Sequence, residues 1–370
     1  MVEWKKLGEV CSNVYAGGTP STKHPEYYDG NIPWIRSGEV DFNVIKTAER
    51  NITEEGYKNS SAKKIRKKSV VMAMTGATVA KTAVVEIETT ANQSVCAMET
   101  DENIIGYKYL YYFLAKNYFT IKSSAQGALT SINLAMIKDI PIPIPSISEQ
   151  ERIVGILDTF TACIDNIKAQ IEQRRKQYEH YRNTLLTFNK DDDSVEWKTL
   201  GEVGDISAGG DVPRNTIKET NPIENYCFPV YSNGKENNSL YGYSTSYSIA
   251  KQAVTISARG TIGWHCVREA YFTPIIRLIT VIPDEKLLSA KYLDYALYVT
   301  RIGGDNGGIP QLTVPSIKNC EIPIPSLARQ QEIVSILDTF EASITNLKAQ
   351  LEQRQKQYEY YREELLTNLS

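Results

Sequence analysis

The sequence predicts an α+β fold in which two mixed, β-rich domains are joined by two long antiparallel helices that form an intramolecular, pseudo-two-fold symmetric coiled coil. Three observations support this prediction. The block Val2–Val10 returns at Val195–Val203 with one difference in nine residues. A longer block, 142–188, returns at 322–368 with 31 identities in 47 positions, and the segments between the blocks diverge almost throughout. Such a repeat indicates a duplicated scaffold that holds two variable inserts.

The two variable segments have the pattern of small mixed domains. Short apolar strands separated by glycine turns are predicted over 70–87 and 247–267, and one helix per segment is predicted over 104–120 and 285–300. We therefore expect the two domains to share a fold and to differ in their surface loops. The predicted boundaries are 1–141 for the first β-rich domain, 142–190 for the central helix, 191–321 for the second β-rich domain and 322–370 for the C-terminal helix.

The repeated long blocks predict two helices with a coiled-coil seam. Ten positions between residues 153 and 185 follow alternating spacings of four and three, nine of them apolar, and the copy between 333 and 365 does the same. This 3.5-residue period is typical of a seam buried against a second helix. Because the two copies are equivalent, we expect them to pair antiparallel. About 40 residues at 1.5 Å each give a helix of roughly 60 Å.

The ends and the interruptions of these helices also lead to predictions. Each helix is expected to begin after its IPIP run, because proline is excluded from helix interiors. Ser148 with Glu151 fits a capping box in the first copy, whereas the second copy has no equivalent pair. Arg174 and Arg354 interrupt the seams at equivalent positions, either to fix the register or with side chains that extend from the rim into water.

Composition limits the class of protein. A chain of 370 residues is longer than one core usually supports, and its net charge of −3 argues against a uniformly basic nucleic-acid binder. No apolar run approaches the about 20 residues needed to cross a membrane, and the N-terminus lacks a secretory signal pattern. Six scattered cysteines without CxxC pairs indicate reduced thiols. These features predict a cytoplasmic protein without a membrane partner.

Several motifs, taken in their doubled order, identify a family. They are the IPIPS and ILDTF segments of each long block, KAQ(I/L)EQR-x-KQYE-x-YR-x2-LL in each helix, and VEWK-x-LGEV before each variable domain. The variable domains add AGGTPSTKHPEYYDGNIPWIRSGEV (16–40), NQSV (92–95), PVYSNG (229–234) and SARGTIG (257–263). Over essentially its whole length, the chain resembles the specificity (S) subunit of a type I restriction-modification system.

This resemblance implies a function and a set of partners. Each variable segment would be a target-recognition domain that reads one half of a bipartite site in double-stranded DNA. The paired helices would set the spacer and dock two modification (methyltransferase) subunits, with restriction (nuclease/translocase) subunits as further partners. The chain would be non-catalytic and without a cofactor of its own. S-adenosylmethionine is expected in the modification subunit, and ATP and Mg in a nuclease subunit.

Two other functions compete with this interpretation. A stand-alone DNA methyltransferase needs an (N/D)PP(Y/F)-type loop and a glycine-rich cofactor turn, but the chain has no PP pair and no GxGxxG. Its three histidines have no metal-ligand spacing. A coiled-coil adaptor for protein partners is compatible with the helices but does not account for two divergent domains on a duplicated scaffold.

Base recognition requires polar or basic side chains on loops that reach the grooves, with Lys and Arg on phosphates. For each candidate the alternative is a polar side chain that stabilises a turn, and for the basic run at 63–68 it is an ordinary solvated strand edge. The candidates in the first domain are Arg36, Ser37, Lys63, Lys64, Arg66, Lys67, Lys68, Thr75, Lys81, Asn92, Gln93, Ser131 and Asn133. The candidates in the second domain are Ser232, Asn233, Lys235, Arg259 and Gln311, the last of which aligns with Ser131.

Overall fold

The computed structural model describes residues 2–124, 131–300, 302 and 311–367. The chain divides into two compact units, of which the first combines Met1–Lys168 with Gln350–Ser370 and the second comprises Ala169–Ala349. Both boundaries fall inside the long helices. Each unit therefore contains one β-rich domain, the first part of one long helix and the last part of the other.

The first unit is built around a five-stranded sheet of order β2-β9-β6-β7-β4, a three-stranded sheet of order β5-β3-β8 and the two-stranded pair β1-β10. The strands are β1 (Glu3–Lys6), β2 (Cys11–Ala16), β3 (Tyr28–Ile35), β4 (Val44–Ile45), β5 (Arg50–Ile52), β6 (Ser69–Ala73), β7 (Thr82–Val85), β8 (Thr90–Ala91), β9 (Val95–Thr100) and β10 (Pro141–Ile144). The helices are α1 (Leu7–Val10), α2 (Glu54–Lys58), α3 (Tyr107–Lys116), α4 (Tyr118–Ser123), α5 (Leu134–Lys138) and the first part of α6 (Ile147–Leu186).

The central strand β6 is buried on both of its faces. Successive side chains of a strand point to opposite faces, so Val70 and Met72 share one face and Val71 and Ala73 the other. The first pair packs in a core with Tyr109 and other residues of α3. The second pair belongs to a separate apolar cluster on the opposite side of the sheet. This double burial explains why the sequence of the strand is continuously apolar instead of alternating.

The second unit repeats this plan with two four-stranded sheets, β12-β19-β16-β17 and β13-β15-β14-β18, and the pair β11-β20. Its strands are β11 (Glu196–Thr199), β12 (Gly204–Ala208), β13 (Thr216–Ile217), β14 (Phe228–Tyr231), β15 (Leu240–Ser244), β16 (Ala253–Ile256), β17 (His265–Arg268), β18 (Thr273–Pro274), β19 (Ile279–Pro283) and β20 (Glu321–Ile324). Its helices are α7 (Leu200–Val203), α8 (Ala290–Val299), α9 (Val314–Lys318), the last part of α6 and the first part of α10 (Leu327–Thr367). The prediction of two mixed domains with a shared fold is confirmed.

The IPIP runs do more than precede the helices. Each forms a strand that pairs antiparallel with a VEWK strand, with Trp4 opposite Pro143 in the first unit and Trp197 opposite Pro323 in the second. Proline is tolerated because each ladder has only two strands, so an N–H is not required on the outer edge. The two repeated sequence blocks therefore pair as one small sheet in each domain, a pairing that was not predicted from the sequence.

The helices have the predicted length but different caps. Helix α6 has 40 residues and α10 has 41. The expected capping box of Ser148 with Glu151 is wrong, because the helix begins one residue before Ser148. Instead, Ser146 Oγ accepts from the Glu149 N–H at 3.3 Å, and Ser326 Oγ accepts from the Arg329 N–H at the same distance. Both copies thus share one serine cap.

Within the described residues, no helix is long and apolar enough to cross a membrane.

The two helices pack antiparallel, as predicted. In the first unit Phe160 of α6 stacks on Tyr361 of α10, with ring centres 5.2 Å apart. In the second unit Tyr181 of α6 lies 5.2 Å from Phe340 of α10. The start of one helix thus meets the end of the other in each unit.

The end of each helix also completes the core of the domain that belongs to the other repeat. In the first unit Leu366 of α10 is buried in the same apolar cluster as Leu157 of α6. In the second unit Leu186 of α6 is buried in the same apolar cluster as Leu337 of α10.

The seam arginines are half-buried and make similar local contacts. Arg174 lies over the Phe340 ring at 5.7 Å and donates to Gln177 Oε1 at 3.1 Å. Arg354 donates to Gln357 Oε1 at 2.8 Å. The contact of Arg174 with an aromatic ring of the partner helix favours the role in fixing the register over a side chain that only extends into water.

A buried glutamine joins each helix to its own domain. Gln150 is 2% exposed, accepts from the Gly106 N–H at 2.9 Å, and donates to the Ile104 and Pro145 carbonyls at 3.0 Å each. Gln330 makes the equivalent three hydrogen bonds in the second unit. Because every amide group of the side chain is used, the start of the helix is held at a defined position on the domain.

A carboxylate about two turns further along each helix makes a second connection. Asp158 accepts from Lys108 Nζ at 2.5 Å and from the Tyr112 hydroxyl at 2.7 Å. In the second unit Asp338 accepts from Lys291 and from the Tyr295 hydroxyl. Burial is the main cause that raises the pKa of Tyr112, and the hydrogen bond to Asp158 raises it as well. The phenol thus stays protonated and keeps its donor role.

Candidate nucleic-acid interface

Two loops of the first unit meet where the parallel strands β3 and β8 end. Ile35 pairs with Ala91 in this ladder, and the Asn92 N–H donates to the Ile35 carbonyl at 2.9 Å. The residues that follow, Arg36 and Asn92, therefore leave the sheet side by side, because the carboxyl ends of parallel strands lie at the same edge. Gly17 packs against this end so closely that a Cβ there would lie 2.2 Å from the Ala91 carbonyl oxygen.

The end of β6 joins the same place. The Met74 N–H donates to the Ser94 carbonyl at 2.8 Å, and the Ile132 N–H donates to the Met74 carbonyl at 2.9 Å. Thr78 Oγ1 donates to the Ser37 carbonyl at 2.7 Å. These bonds assemble six of the predicted candidates from four separate stretches of chain. We call this group the first polar edge: Arg36, Ser37, Thr75, Asn92, Gln93 and Ser131.

Arg36 at this edge and Lys81, which directly precedes β7, are both already paired with carboxylates. Arg36 Nη2 lies 2.5 Å from Glu49 Oε2, and Lys81 Nζ lies 2.5 Å from Asp41 Oδ1. Gln93 is hydrogen-bonded to Thr19. A nucleic acid would have to compete with these carboxylates for either cation. The side chains of Ser37, Thr75 and Asn92 are only partly buried.

The basic residues of the run at 63–68 differ in their contacts and in their exposure to solvent. Lys63 and Lys64 are exposed, and Lys63 lies over the Tyr15 ring at 5.2 Å. Arg66 donates to the Thr100 carbonyl at 2.6 Å, and the Lys68 N–H donates to the Val85 carbonyl. Arg66, Lys67 and Lys68 directly precede β6, whereas the first polar edge lies beyond the other end of this strand. A five-residue strand is about 17 Å long, so the two groups are separated by roughly that distance.

Asn133 has a structural partner as well: its side chain accepts from the Met136 N–H at 2.9 Å and caps α5. The assignment of Asn133 and the basic run as DNA contacts stays a prediction.

The second unit has an equivalent edge with different side chains. The parallel strands β14 and β18 end at Tyr231 and Pro274, and the Ile275 N–H donates to the Tyr231 carbonyl at 2.8 Å. The Leu312 N–H donates to the Ala258 carbonyl at 3.0 Å, as the Ile132 N–H does to the Met74 carbonyl in the first unit. We call this group the second polar edge: Ser232, Asn233, Arg259, Ile276, Arg277 and Gln311.

Asn233 holds the loops of the second polar edge together. Its Oδ1 accepts from the Ala258 N–H at 2.8 Å, and its Nδ2 donates to the Ile276 carbonyl at 2.7 Å. The next residue, Gly234, donates its N–H to Ser257 Oγ at 3.1 Å. With both ends of its amide occupied, Asn233 positions three loops, and its predicted contact with a base would require these bonds to break.

The charged candidates of the second unit are more exposed than Arg36 and Lys81 of the first. Lys235 is exposed, and Arg259 is exposed with its Nε donating to Gln311 Oε1 at 3.2 Å. Among the described residues no carboxylate pairs with either cation. Arg268, by contrast, lies 3.8 Å over the Tyr231 ring and donates to Ser239 Oγ at 2.7 Å. Its guanidinium group is therefore engaged in contacts within the domain.

Two residues of the second polar edge were not predicted from the sequence. Ile276 and Arg277 are both exposed and both left-handed, with φ of 52° and 63°. Each such non-glycine residue costs about 1–2 kcal/mol of backbone strain. The run IIRL (275–278) looks like part of an apolar strand. The one feature of the sequence that could have indicated an exposed loop is the single arginine, Arg277, inside this apolar run.

The chemistry of the two edges is that of hydrogen bonding, with amides, hydroxyls and guanidinium groups at loop ends. In the described parts of the chain, no group of three His, Cys, Asp or Glu side chains is placed to hold a metal ion. Among the described residues no disulfide joins any two of the six cysteines.

Comparison with known proteins gives a consistent result. The sequence-family model for the type I restriction modification DNA specificity domain matches residues 1–174 and 193–354. A type I restriction enzyme specificity subunit of Haemophilus influenzae is 31% identical, and the alignment covers 100% of this chain and 96% of that protein. A type I specificity subunit of Mycoplasma pneumoniae is 33% identical, with 65% of this chain and 67% of that protein covered.

A crystal structure of a type I restriction-modification S subunit from M. genitalium has the same fold. Its TM-score is 0.65 at 16% identity, and the superposition covers 100% of this chain and 97% of that one.

Proposed function

Because the chain belongs to the family of type I restriction-modification DNA specificity subunits, we propose that each unit reads one half of a bipartite DNA site through its polar edge. The specificity subunit is the non-catalytic component that directs such a complex to its sequence. The stand-alone methyltransferase and the protein adaptor are therefore set aside as primary functions.

The observation that supports this proposal is the equivalence of the two edges. The bond from Asn92 to Ile35 in the first unit corresponds to the bond from Ile275 to Tyr231 in the second, so the backbone frame is the same. The side chains on that frame differ, with Arg36 and Asn92 in one unit and Asn233 and Arg277 in the other. A common frame with different polar groups is what recognition of two different base sequences requires.

The long helices would determine the spacing between the half-sites and carry the partners. We infer that two modification subunits dock on the conserved blocks and supply S-adenosylmethionine, and that restriction subunits, where present, supply ATP and Mg. Such a complex would act on chromosomal DNA in the cytoplasm. These partners are inferred from the family to which the chain belongs, and not from any contact observed in the structure.

Deleting one heptad from each helix tests the proposal. Removing 168–174 together with 348–354 shortens both helices by seven residues, or about 10 Å. That length corresponds to about 3 base pairs at 3.4 Å each. We expect the assembled complex to methylate sites with a shorter spacer and unchanged half-sites, as measured by sequencing methylated DNA from cells.

A double substitution that keeps the length is the matched control. Lys176 and Lys356 are exposed and lie on α6 and α10, so K176A with K356A should leave the spacer unchanged. Altered half-sites with a constant spacer in the deletion variant would refute the proposal. Duplex binding with no sequence preference by the wild-type complex would favour the adaptor.

A further inference from the structure

Arg277 differs from Arg259 and Arg268 of the second unit in how its side chain is presented. Its side chain is exposed and has no hydrogen-bond or ion-pair partner among the described residues. Arg268 is held over Tyr231, and Arg259 is bound to Gln311. Arg277 thus combines a position at the second polar edge with an unused guanidinium fork.

The backbone beneath this side chain is held in place from several directions. The Ile276 N–H donates to the Gly210 carbonyl at 2.8 Å, and the Arg277 N–H donates to the Gly209 carbonyl at 3.1 Å. Asn233 Nδ2 donates to the Ile276 carbonyl at 2.7 Å. Two consecutive left-handed residues persist only where their surroundings determine the conformation, and such strain is concentrated at functional sites.

The first unit lacks this arrangement at the equivalent place. Gln93 and Ser94 correspond to Ile276 and Arg277, because Gly17 donates to the Val95 carbonyl as Gly209 does to the Leu278 carbonyl. Gln93 has a partner in Thr19, and neither Gln93 nor Ser94 is left-handed. The exposed Ile–Arg pair is therefore a property of the second unit alone and not of the common frame.

We propose that Arg277 reads a guanine in the half-site recognised by the second unit, with Ile276 against the neighbouring base pair. An arginine fork matches the O6 and N7 acceptors of guanine in the major groove, and an apolar side chain suits the methyl group of thymine. Ile276 is 46% exposed, which leaves its branched side chain free for such a contact. The inference rests on the proposed function and adds the base class that one unit selects.

The substitution that tests Arg277 has to be compatible with its left-handed backbone conformation. The left-handed backbone at φ of 63° is strained by the Cβ, which alanine would keep and glycine lacks, so R277G removes the side chain and still adopts the loop conformation readily. R277K keeps the positive charge but loses the bidentate fork. Lys251 is an exposed cation that precedes β16, at the opposite end of that strand from Arg259, and K251A serves as the control for loss of charge.

The assay measures how the full complex methylates a library of DNA duplexes. Every position of both half-sites is varied in this library. We expect R277G and R277K to lose about ten- to a hundredfold discrimination at one G·C pair of a single half-site, with K251A unchanged. I276A should weaken discrimination at an adjacent pair. A uniform loss over all sequences in R277G, or wild-type selectivity in both Arg277 variants, would overturn the inference.

The same library separates this inference from the proposed function. If wild-type complex selects two half-sites and R277G does so equally well, only the role of Arg277 fails. If the wild-type complex shows no sequence preference, the proposed function itself fails.

Discussion

Replacing Gln150 by leucine should destabilise the first unit without changing the surface of the protein. The substitution nearly preserves volume but removes one acceptor and two donors from a side chain that is 2% exposed. The Gly106 N–H and the Ile104 and Pro145 carbonyls lose their partners. At about 1 kcal/mol net for each hydrogen bond, the loss is about 3 kcal/mol of unfolding free energy.

This loss can be converted to a melting temperature. The first unit comprises 168 residues from Met1–Lys168 and 21 from Gln350–Ser370, or 189 in all. For that size each kcal/mol shifts the midpoint by about 2–4 °C, so we expect a decrease of about 6–12 °C in its transition. Thermal unfolding followed by circular dichroism measures it.

The duplication provides a matched comparison. Gln330 makes the same three hydrogen bonds in the second unit, so Gln330→Leu should cost a similar amount. The costs should add in the double variant, because the two side chains share no partner. A decrease below about 2 °C for Gln150→Leu would mean that the amide contributes little and that apolar packing alone holds the helix on the domain.

Two further predictions concern thiol chemistry and the helix seam. Burial raises the pKa of Cys11 to about 12 and also raises that of Cys96, so both thiols stay protonated at pH 8. Ellman's reagent should therefore modify the exposed Cys227 rapidly, and the partly buried Cys11 and the buried Cys96 only after unfolding; rapid labelling of Cys11 in folded protein would contradict this. Phe160→Ala and Phe340→Ala each remove a half-buried ring that contacts a tyrosine ring across the seam, and each should lower the unfolding free energy measured by urea denaturation by about 2 kcal/mol. A neutral result for either would mean that its ring does not contribute to helix pairing.

The helices and their pairing could be predicted because their signal is local and periodic. A 3.5-residue spacing repeated over more than four heptads leaves few alternatives, and the duplication indicates the antiparallel partner. The caps were missed for a related reason: Ser148 with Glu151 fits a local motif, but the strand at the IPIP run ends early enough for Ser146 to precede the first turn. The pairing of that strand with VEWK, more than 130 residues away, has no local signal.

The polar edges are harder to predict because they are assembled from distant loops. Thr75, Asn92 and Ser131 lie near Arg36 only through the order of the strands, although the individual residue types suggested them. Sequence alone also could not show that Asn233 is fully used in joining loops. Arg277 was hidden in an apolar run, since its exposure depends on a left-handed backbone that no residue type there favours.

The discontinuity of the first unit has a consequence for biosynthesis. Its core includes Leu366, which emerges from the ribosome 366 − 168 = 198 residues after Lys168. At 5–20 residues per second, the nascent domain waits about 10–40 s for the segment that covers its apolar surface. The second unit, formed from one uninterrupted stretch, has no such delay. In translation, the domain encoded first is therefore the one completed last.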